Sequence, residues 1–378
     1  MRAASVSDYR ELARRRLPRV LFDYIDGGSY AEATLAANVD DLNAMTLRQR
    51  VMRDVSKLSM QTELFGQTLS MPVVLAPVGL AGMYARRGET QAARAAKAAG
   101  VPFSLSTVGV CTLEEVAKAA APPWFQLYMI KDRGYMSEVL ARAGAVGCPA
   151  LLFTVDLPMP GARYRDTRNG MIATSAGARL NQVMDGLAHP GWLWDVQVNG
   201  KPHTLGNVAG AAAELNTITD FWTWIGRNFD PSVTWKDIEW VRERWKGPII
   251  LKGVLDVEDA RQAVASGVEG VVVSNHGGRQ LDGVASSIDA LPRIADAVGD
   301  ELTVLMDGGV RSGLDILKAL ASGAKACLIG RAWAWALGAR GEAGVTHMLQ
   351  ILRGELRMAM ALTGCTDVKA ADRSLLDR

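Results

Sequence analysis

From Met71 onward, short runs of β-branched and aliphatic residues alternate with Ala-rich segments whose apolar positions recur every three to four residues. A parallel strand buried on both faces reads as such a run, and each needs a crossover helix to reach the next. Eight runs qualify: Met71 to Pro77, Pro102 to Thr107, Trp124 to Met129, Ala150 to Asp156, Pro248 to Gly253, Gly270 to Asn275, Leu302 to Asp307 and Ala326 to Gly330. Helical patterns between them include Glu89 to Ala99, Leu113 to Ala120, Tyr135 to Ala143, Val257 to Ala265 and Gly313 to Ala321. Gly100, Gly267 and Gly323 stand where helix ends favour a left-handed residue. Eight strand–helix units predict an α/β fold of the (β/α)8 type, a TIM barrel.

A barrel of this kind takes about 250 residues, and the chain has 378. The remainder is an N-terminal helical extension, residues 1–70, and a long insertion after the fourth strand, residues 157–234. The barrel is then residues 71–156 and 235–378, and the whole reads as a single domain. A βα loop usually takes about 2–6 residues, so an insertion of this length is expected to have work to do. Seven of the ten tryptophans lie in it or in the helix after it: Trp192, Trp194, Trp222, Trp224, Trp235, Trp240 and Trp245. Such enrichment reads either as a satellite core or subunit contact, or as docking at headgroup depth on a bilayer.

Composition narrows the partners. Half the residues are apolar, at 49%, and 22% are charged, which is globular rather than disordered. A net charge of +2 gives no chain-wide cationic field, so no nucleic acid is expected. Cys111, Cys148, Cys327 and Cys365 are scattered singly, and His189, His203, His276 and His347 form no i, i+3 or i, i+4 pair. Neither a disulfide framework nor a metal site is expected, and a reducing compartment is. The Arg-rich start lacks the apolar core of a secretion signal. The longest apolar stretch, Met71 to Ala85, holds two prolines and two glycines and falls short of the ~18 residues of a spanning helix.

In a (β/α)8 barrel the loops after the strands share one face, and the site is built there. Reading off the strand ends gives Pro77, Val78 and Gly79; Ser106; Gln126 and Tyr128; Thr154 and Asp156; Lys252; and Ser274 with His276. Asp307, Gly308, Gly309 and Arg311 follow the seventh strand, and Gly330 and Arg331 the eighth. Barrels commonly bind phosphate at these last two, where glycines admit backbone N–H groups and arginine adds charge-assisted hydrogen bonds. No Gly-x-Gly occurs, so a mononucleotide is expected rather than a dinucleotide on a Rossmann turn. Ser274-Asn275-His276-Gly277-Gly278-Arg279-Gln280-Leu281-Asp282 places an imidazole beside a Gly-Gly turn and a guanidinium three residues on. One takes a proton near neutral pH and the other grips a carboxylate, a pairing suited to a carboxylic acid substrate. Asp156 is placed to orient His276, and Arg163 to supply a second cation.

At these residues the sequence resembles the FMN-dependent family that oxidises 2-hydroxy acids, over essentially the whole chain. Phe22 to Gly28, Ala76 to Leu80, Met83 to Glu89 and Pro160 to Asp166 are most similar to its bacterial, membrane-associated L-lactate dehydrogenase subgroup. The resemblance implies FMN as cofactor, with His276 as base, Asp156 as its partner, and Tyr24, Tyr128, Arg163 and Arg279 on the substrate. It further implies flavin contacts from Pro77 to Gly79, Ser106, Gln126, Thr154 and Ser274, and Lys252 at the flavin N1 side. The phosphate would fall to Gly309, Arg311, Gly330 and Arg331, with Asp307 and Gly308 beside them. Implied with these are oxidation of L-lactate to pyruvate, a quinone or other electron acceptor, and a homo-oligomer, by likeness a tetramer. So is a peripheral position on the cytoplasmic face of the bacterial inner membrane, or a soluble cytoplasmic form. Val108 stands where glycolate-oxidase-like members carry a bulky aromatic, leaving room for mandelate or longer acids. Different classes also compete: a peroxide-forming oxidase, a phosphate-substrate barrel isomerase or IMP-type dehydrogenase, and a flavin-binding module without catalysis.

Overall fold

A computed structural model describes residues 2–171, 176–208 and 224–377, leaving aside the side chains of 176, 178 and 179. A short antiparallel hairpin, β1 (Thr62–Leu64) and β2 (Gln67–Leu69), precedes the main sheet. The main sheet comprises β3 (Val73–Leu75), β4 (Ser104–Ser106), β5 (Trp124–Leu127), β6 (Leu151–Thr154), β7 (Ile249–Val254), β8 (Gly270–Val273), β9 (Thr303–Asp307) and β10 (Ala326–Ile329). All eight lie within or beside the expected runs and pair in parallel, each with its neighbour in sequence, while β10 returns to β3. The ring closes through a parallel bridge between Leu75 and Phe103, with the Leu75 N–H donating to the Pro102 carbonyl at 2.9 Å. The chain is a (β/α)8 TIM barrel.

Alternate residues of each strand face opposite ways, and the barrel sorts them into two cores. Val74, Ala76, Trp124, Leu152, Ile250, Val272, Leu305 and Leu328 fill the interior with Leu64 and Leu69 of the hairpin. The hairpin thus plugs the N-terminal end of the barrel, with the Trp124 indole donating to Gln67 at 2.5 Å. The other face of each strand packs on the surrounding helices. What stays open is the C-terminal mouth.

Three helices make up the N-terminal extension: α1 (Val6–Arg16), α2 (Arg19–Asp26) and α3 (Ala33–Ala44). Ser5 and Asp8 form a capping box that satisfies the first amides of α1. α1 lies along the C-terminal helical segment Arg331–Thr363, which is broken at Arg340 and Gly341. α2 then carries Tyr24 to the mouth. Helices α4 (Gly88–Ala99), α5 (Leu113–Ala119) and α6 (Arg133–Val146) fall on their expected segments, as do Val257–Ala265 and Gly313–Ala321.

Within the insertion lie α7 (Tyr164–Arg168) and α8 (Ala176–Leu187). Trp222 is outside the described residues. Of the other six tryptophans, Trp192, Trp224 and Trp245 are buried, Trp235 and Trp240 half-buried, and Trp194 exposed. Five of the six therefore join the main core, so for these five the core reading holds over the bilayer-facing one. α8 contributes a run of exposed apolar side chains besides Trp194. Leu180, Val183, Met184 and Leu187, spaced i, i+3, i+4 and i+7, are each more than half exposed, as is Val198. Among the described residues no helix is long and apolar enough to cross a membrane.

Candidate active site

β8 ends in a turn of three consecutive left-handed residues, His276, Gly277 and Gly278, at φ of 57°, 65° and 72°. Glycine accepts that conformation freely, whereas a histidine there must be held by its surroundings. The holding is visible: the His276 N–H donates to Ser274 Oγ at 3.0 Å, and Nδ1 lies 3.0 and 3.2 Å from the two carboxylate oxygens of Asp156. Asp156 stands just past β6, the neighbour but one in the barrel. The Tyr128 hydroxyl, past the end of β5, lies 3.5 Å from Nε2, the other ring nitrogen.

Burial sets the charge states. It is the largest influence on His276, and together with the Lys252 and Arg279 cations it pulls the imidazole below its ordinary value against the attraction of Asp156. Burial pushes the Asp156 carboxyl up, but His276 and then Lys252 outweigh it and hold the group ionised below the usual carboxylate range. A neutral imidazole with a carboxylate on Nδ1 carries its proton there and presents a lone pair at Nε2. Tyr128 is pushed well up, first by burial and then by Asp156, and keeps its proton.

Two guanidiniums face the same cavity. Arg163, the residue that enters α7, and Arg279 both lie over the Tyr24 ring, at 5.7 and 4.8 Å from its centroid. Arg279 also donates to the backbone carbonyls of Tyr24 and Gly27, at 2.5 and 3.1 Å. Arg163 is buried, and burial followed by the charge of Arg279 lowers its pKa. Both effects favour an anionic guest. Asp166, buried 3.9 Å from Arg163, is pushed up by its own burial.

A second group of polar residues lies along the strands. Ser106 Oγ donates to the Gln126 carbonyl oxygen at 2.9 Å, and the Gln126 amide donates to Thr154 Oγ1 at 3.0 Å, a buried chain across β4, β5 and β6. Lys252 donates to Ser274 Oγ at 3.0 Å and pairs with Asp307 at 2.9 Å. Burial opposes its charge, but Asp307 and Asp156 outweigh burial and keep the ammonium protonated. The second oxygen of Asp307, Oδ1, is buried without a hydrogen-bond partner.

After β9, Gly308 and Gly309 adopt φ of 96° and 82°. A Cβ on Gly309 would stand 1.9 Å from the Asn38 carbonyl of α3, so only glycine lets the extension close here. Arg311 is stacked 4.9 Å from Trp335 and lowered to about 10 by burial. Gly330 precedes the helix that Arg331 opens. Arg331 donates to the carbonyls of Gly27 and Gly277 at 2.7 and 2.8 Å, and burial, then Arg279 and Arg311, drive its pKa well down. Two half-buried cations, paired glycines and a helix N-terminus here are groups that suit an anion.

One cavity of about 1060 Å³, its open mouth included, joins these parts; cofactor sites run to about 1,000 Å³. Tyr24, Tyr128, Arg163, His276 and Arg279 line one side. Pro77 to Gly79, Lys252, Asp307 to Gly309, Arg311, Gly330 and Arg331 line the other. Ser106, Gln126, Thr154, Asp156 and Ser274 do not line it: Asp156 and Ser274 bond to lining residues His276 and Lys252, and Thr154 lines the neighbouring cavity. The buried donors along β4 to β7, the partnerless Asp307 oxygen and the groups that suit an anion fit a flat heteroaromatic ring that carries a phosphate. Ile225, Phe229 and Leu157 also wall the cavity. They sit in the insertion, where no strand or helix periodicity pointed inward. Cys327 is buried within β10, and burial pushes its thiol up, so it offers no exposed nucleophile.

A family model described as FMN-dependent dehydrogenase matches residues 13–378. The chain is 61% identical over 374 residues to a protein named L-lactate dehydrogenase from Caulobacter sp. (strain K31), covering 99% of this chain and 98% of that one. It is 60% identical over 377 residues to the protein of that name from Caulobacter vibrioides (strain NA1000 / CB15N), covering 100% and 98%. Among solved structures, the monotopic membrane protein (S)-mandelate dehydrogenase superposes with a TM-score of 0.92 at 35% identity, covering 100% of both chains. A mandelate oxidase with (S)-4-hydroxymandelic acid superposes at 0.86 and 40% identity, covering 99% and 98%.

Proposed function

The chain belongs to the FMN-dependent dehydrogenase family, and from that premise we propose that it oxidises L-lactate to pyruvate and passes the electrons to a membrane quinone. FMN, when bound, accepts the two electrons that leave the alcohol carbon of the substrate. The observation that carries the reading is the Asp156–His276 pair facing two guanidiniums across one cavity. Arg163 and Arg279 clamp the substrate carboxylate, and Tyr24 and Tyr128 contact the carboxylate or hydroxyl. That clamp converts loose binding into a fixed approach of the hydroxyl-bearing carbon. His276 Nε2 takes the proton, and Asp156 stabilises the imidazolium that results. Ser106, Gln126, Thr154, Ser274 and the Pro77 to Gly79 backbone hold the flavin, with the Lys252 ammonium at its N1 side. Gly309, Arg311, Gly330 and Arg331 hold the phosphate, beside Asp307 and Gly308. A phosphate-substrate isomerase has no use for the paired arginines beside His276, and IMP-type chemistry lacks its cysteine.

The close relatives' name supports lactate. The exposed α8 stripe and the monotopic structural neighbour support a peripheral position on the cytoplasmic face of the inner membrane. We read residues 1–378 as one catalytic unit in which 1–70 covers the barrel mouth and 157–234 meets the membrane, assembled as a homo-oligomer. The likeness to mandelate oxidases at 39–40% identity favours a second reading, an oxygen-consuming oxidase with room for an aryl group beside Val108.

An anaerobic visible spectrum of the purified protein, taken before and after L-lactate, tests both. Bleaching of the flavin, followed by fast reoxidation with a quinone analogue and slow reoxidation in air, is the expected result. Rapid reoxidation in air with peroxide release would make it an oxidase. No bleaching with any 2-hydroxy acid would end the proposal. His276→Ala is expected to bleach at least a thousandfold more slowly, roughly what loss of a catalytic base costs.

A further inference from the structure

Behind the candidate active site lies a second cavity of about 1160 Å³, its open side included. Among the described residues the two cavities share Tyr128, Leu157 and Phe229 as walls. The Tyr128 and Phe229 rings stack 5.1 Å apart, tilted by 35°, and Trp224 meets Phe229 edge-on at 6.5 Å. Tyr128 is committed to His276. Phe229 meets this machinery through its ring contact with Tyr128, and its backbone is held separately. It bridges Ile130 in antiparallel fashion, with Lys131 N–H donating to Asn228 O at 2.8 Å and Asp230 N–H to Met129 O at 3.1 Å.

The far cavity is lined largely by apolar side chains, among them Phe153, Val155, Val233, Trp235 and Ile238. Its polar groups are mostly engaged already: Thr234 donates to Asp237 at 3.3 Å, Asp230 pairs with Arg133 at 2.6 Å, and Thr154 accepts from Gln126. Asp259, an exposed residue, completes the lining. With the arginines gripping the carboxylate, the apolar walls by Val108, Ile225 and Phe229 are where a substrate side chain belongs.

Taking the proposed function as its basis, we propose that Phe229 sets the upper limit on the substrate side chain. The cavity behind it is a subsite for the longer apolar chain of a monocarboxylic 2-hydroxy acid. Its apolar walls offer no partner to a second carboxylate, which would lose its hydration on entering.

Phe229→Ala, and Phe229→Leu as the milder change should alanine not fold, are compared with the parent on L-lactate, L-2-hydroxyhexanoate and L-2-hydroxyoctanoate, using a dye acceptor. The ratio of kcat/KM for the eight-carbon acid to that for lactate is expected to rise about tenfold or more, chiefly through KM, since one methylene in a pocket is worth roughly 10–200-fold. A 2-hydroxy dicarboxylate of equal length is expected to gain no more than about threefold, because its second charge would lose water against apolar walls. A ratio within about twofold of the parent's, in whichever variant folds, would overturn the subsite. So would an equal gain for the dicarboxylate. Calorimetric titration with 2-oxooctanoate reads the same cavity without turnover. Tighter binding by the variant supports the subsite and unchanged binding overturns it, even if the parent oxidises none of the acids and the proposed function itself falls.

Discussion

His276 is held in a left-handed turn and kept neutral by burial, while Asp156 pulls the other way. That opposition fixes the sign of a test. Replacing Asp156 with Asn removes the attraction that favours the imidazolium, so the acid-side inflection of kcat/KM, already below the ordinary histidine value of about 6.5, is expected to move to still lower pH. The same change is expected to cost roughly 10²–10⁴ in kcat, because the imidazolium formed in the reaction loses its counter-charge and Nδ1 its fixed tautomer. Stopped-flow flavin reduction across pH 5–8 measures both, and an inflection that rises would contradict the charge assignment. At this scale the sequence was informative where neighbours in space are also neighbours in chain. His276 and Arg279 share one turn, and Gly308 and Gly309 precede Arg311. It was silent on Phe229 and Ile225, which reach the cavity from a segment with no inward periodicity, and on Asn38, whose carbonyl forbids a side chain at Gly309.

The strands and most helices were legible as elements because burial on both faces leaves runs of Val, Ile and Leu that no loop would tolerate. The β1–β2 hairpin was not, since three-residue strands give too little alternation to stand out. α8 was not among the expected helices, and its stripe at i, i+3, i+4 and i+7, of the kind that usually faces a core, here faces outward while most of the tryptophans turn in. Substituting Leu180 and Leu187 together with Ser is expected to leave Tm and dye-linked turnover within experimental scatter, because both side chains are more than half exposed. Binding to vesicles of bacterial lipid is expected to weaken about a hundredfold, the equivalent of withdrawing two aliphatic side chains from an apolar phase. Co-sedimentation that matches the parent would remove α8 from the membrane-facing surface.

At the scale of the whole molecule, Asp26 ties the N-terminal extension to the insertion. Its buried carboxylate accepts from Arg10 at 2.5 and 2.8 Å and from Arg165 at 2.9 Å, while Arg165 also pairs with Glu32. Burial pushes Asp26 up, but Arg10 and then Arg165 outweigh it, so the folded carboxyl lies below its ordinary value. Its contribution is therefore present above about pH 4 and lost as the pH falls through the folded value. Asp26→Asn is expected to cost about 3 kcal/mol at neutral pH, a deficit in Tm that shrinks in acid. An equal deficit at pH 7 and pH 3 would show that the ion pairs are not its source. No pattern in the chain announces this tie, because its partners lie 16 and 139 residues away. One atom gives it a larger meaning. The Gly27 carbonyl oxygen accepts at once from Arg279 on the substrate side and Arg331 on the phosphate side. On the proposed roles, neither arginine relaxes without the other registering it, and by reciprocity each guest alters the other's affinity by the same factor. A lost phosphate group is then felt at the carboxylate end of the cavity, and a lost substrate at the phosphate end.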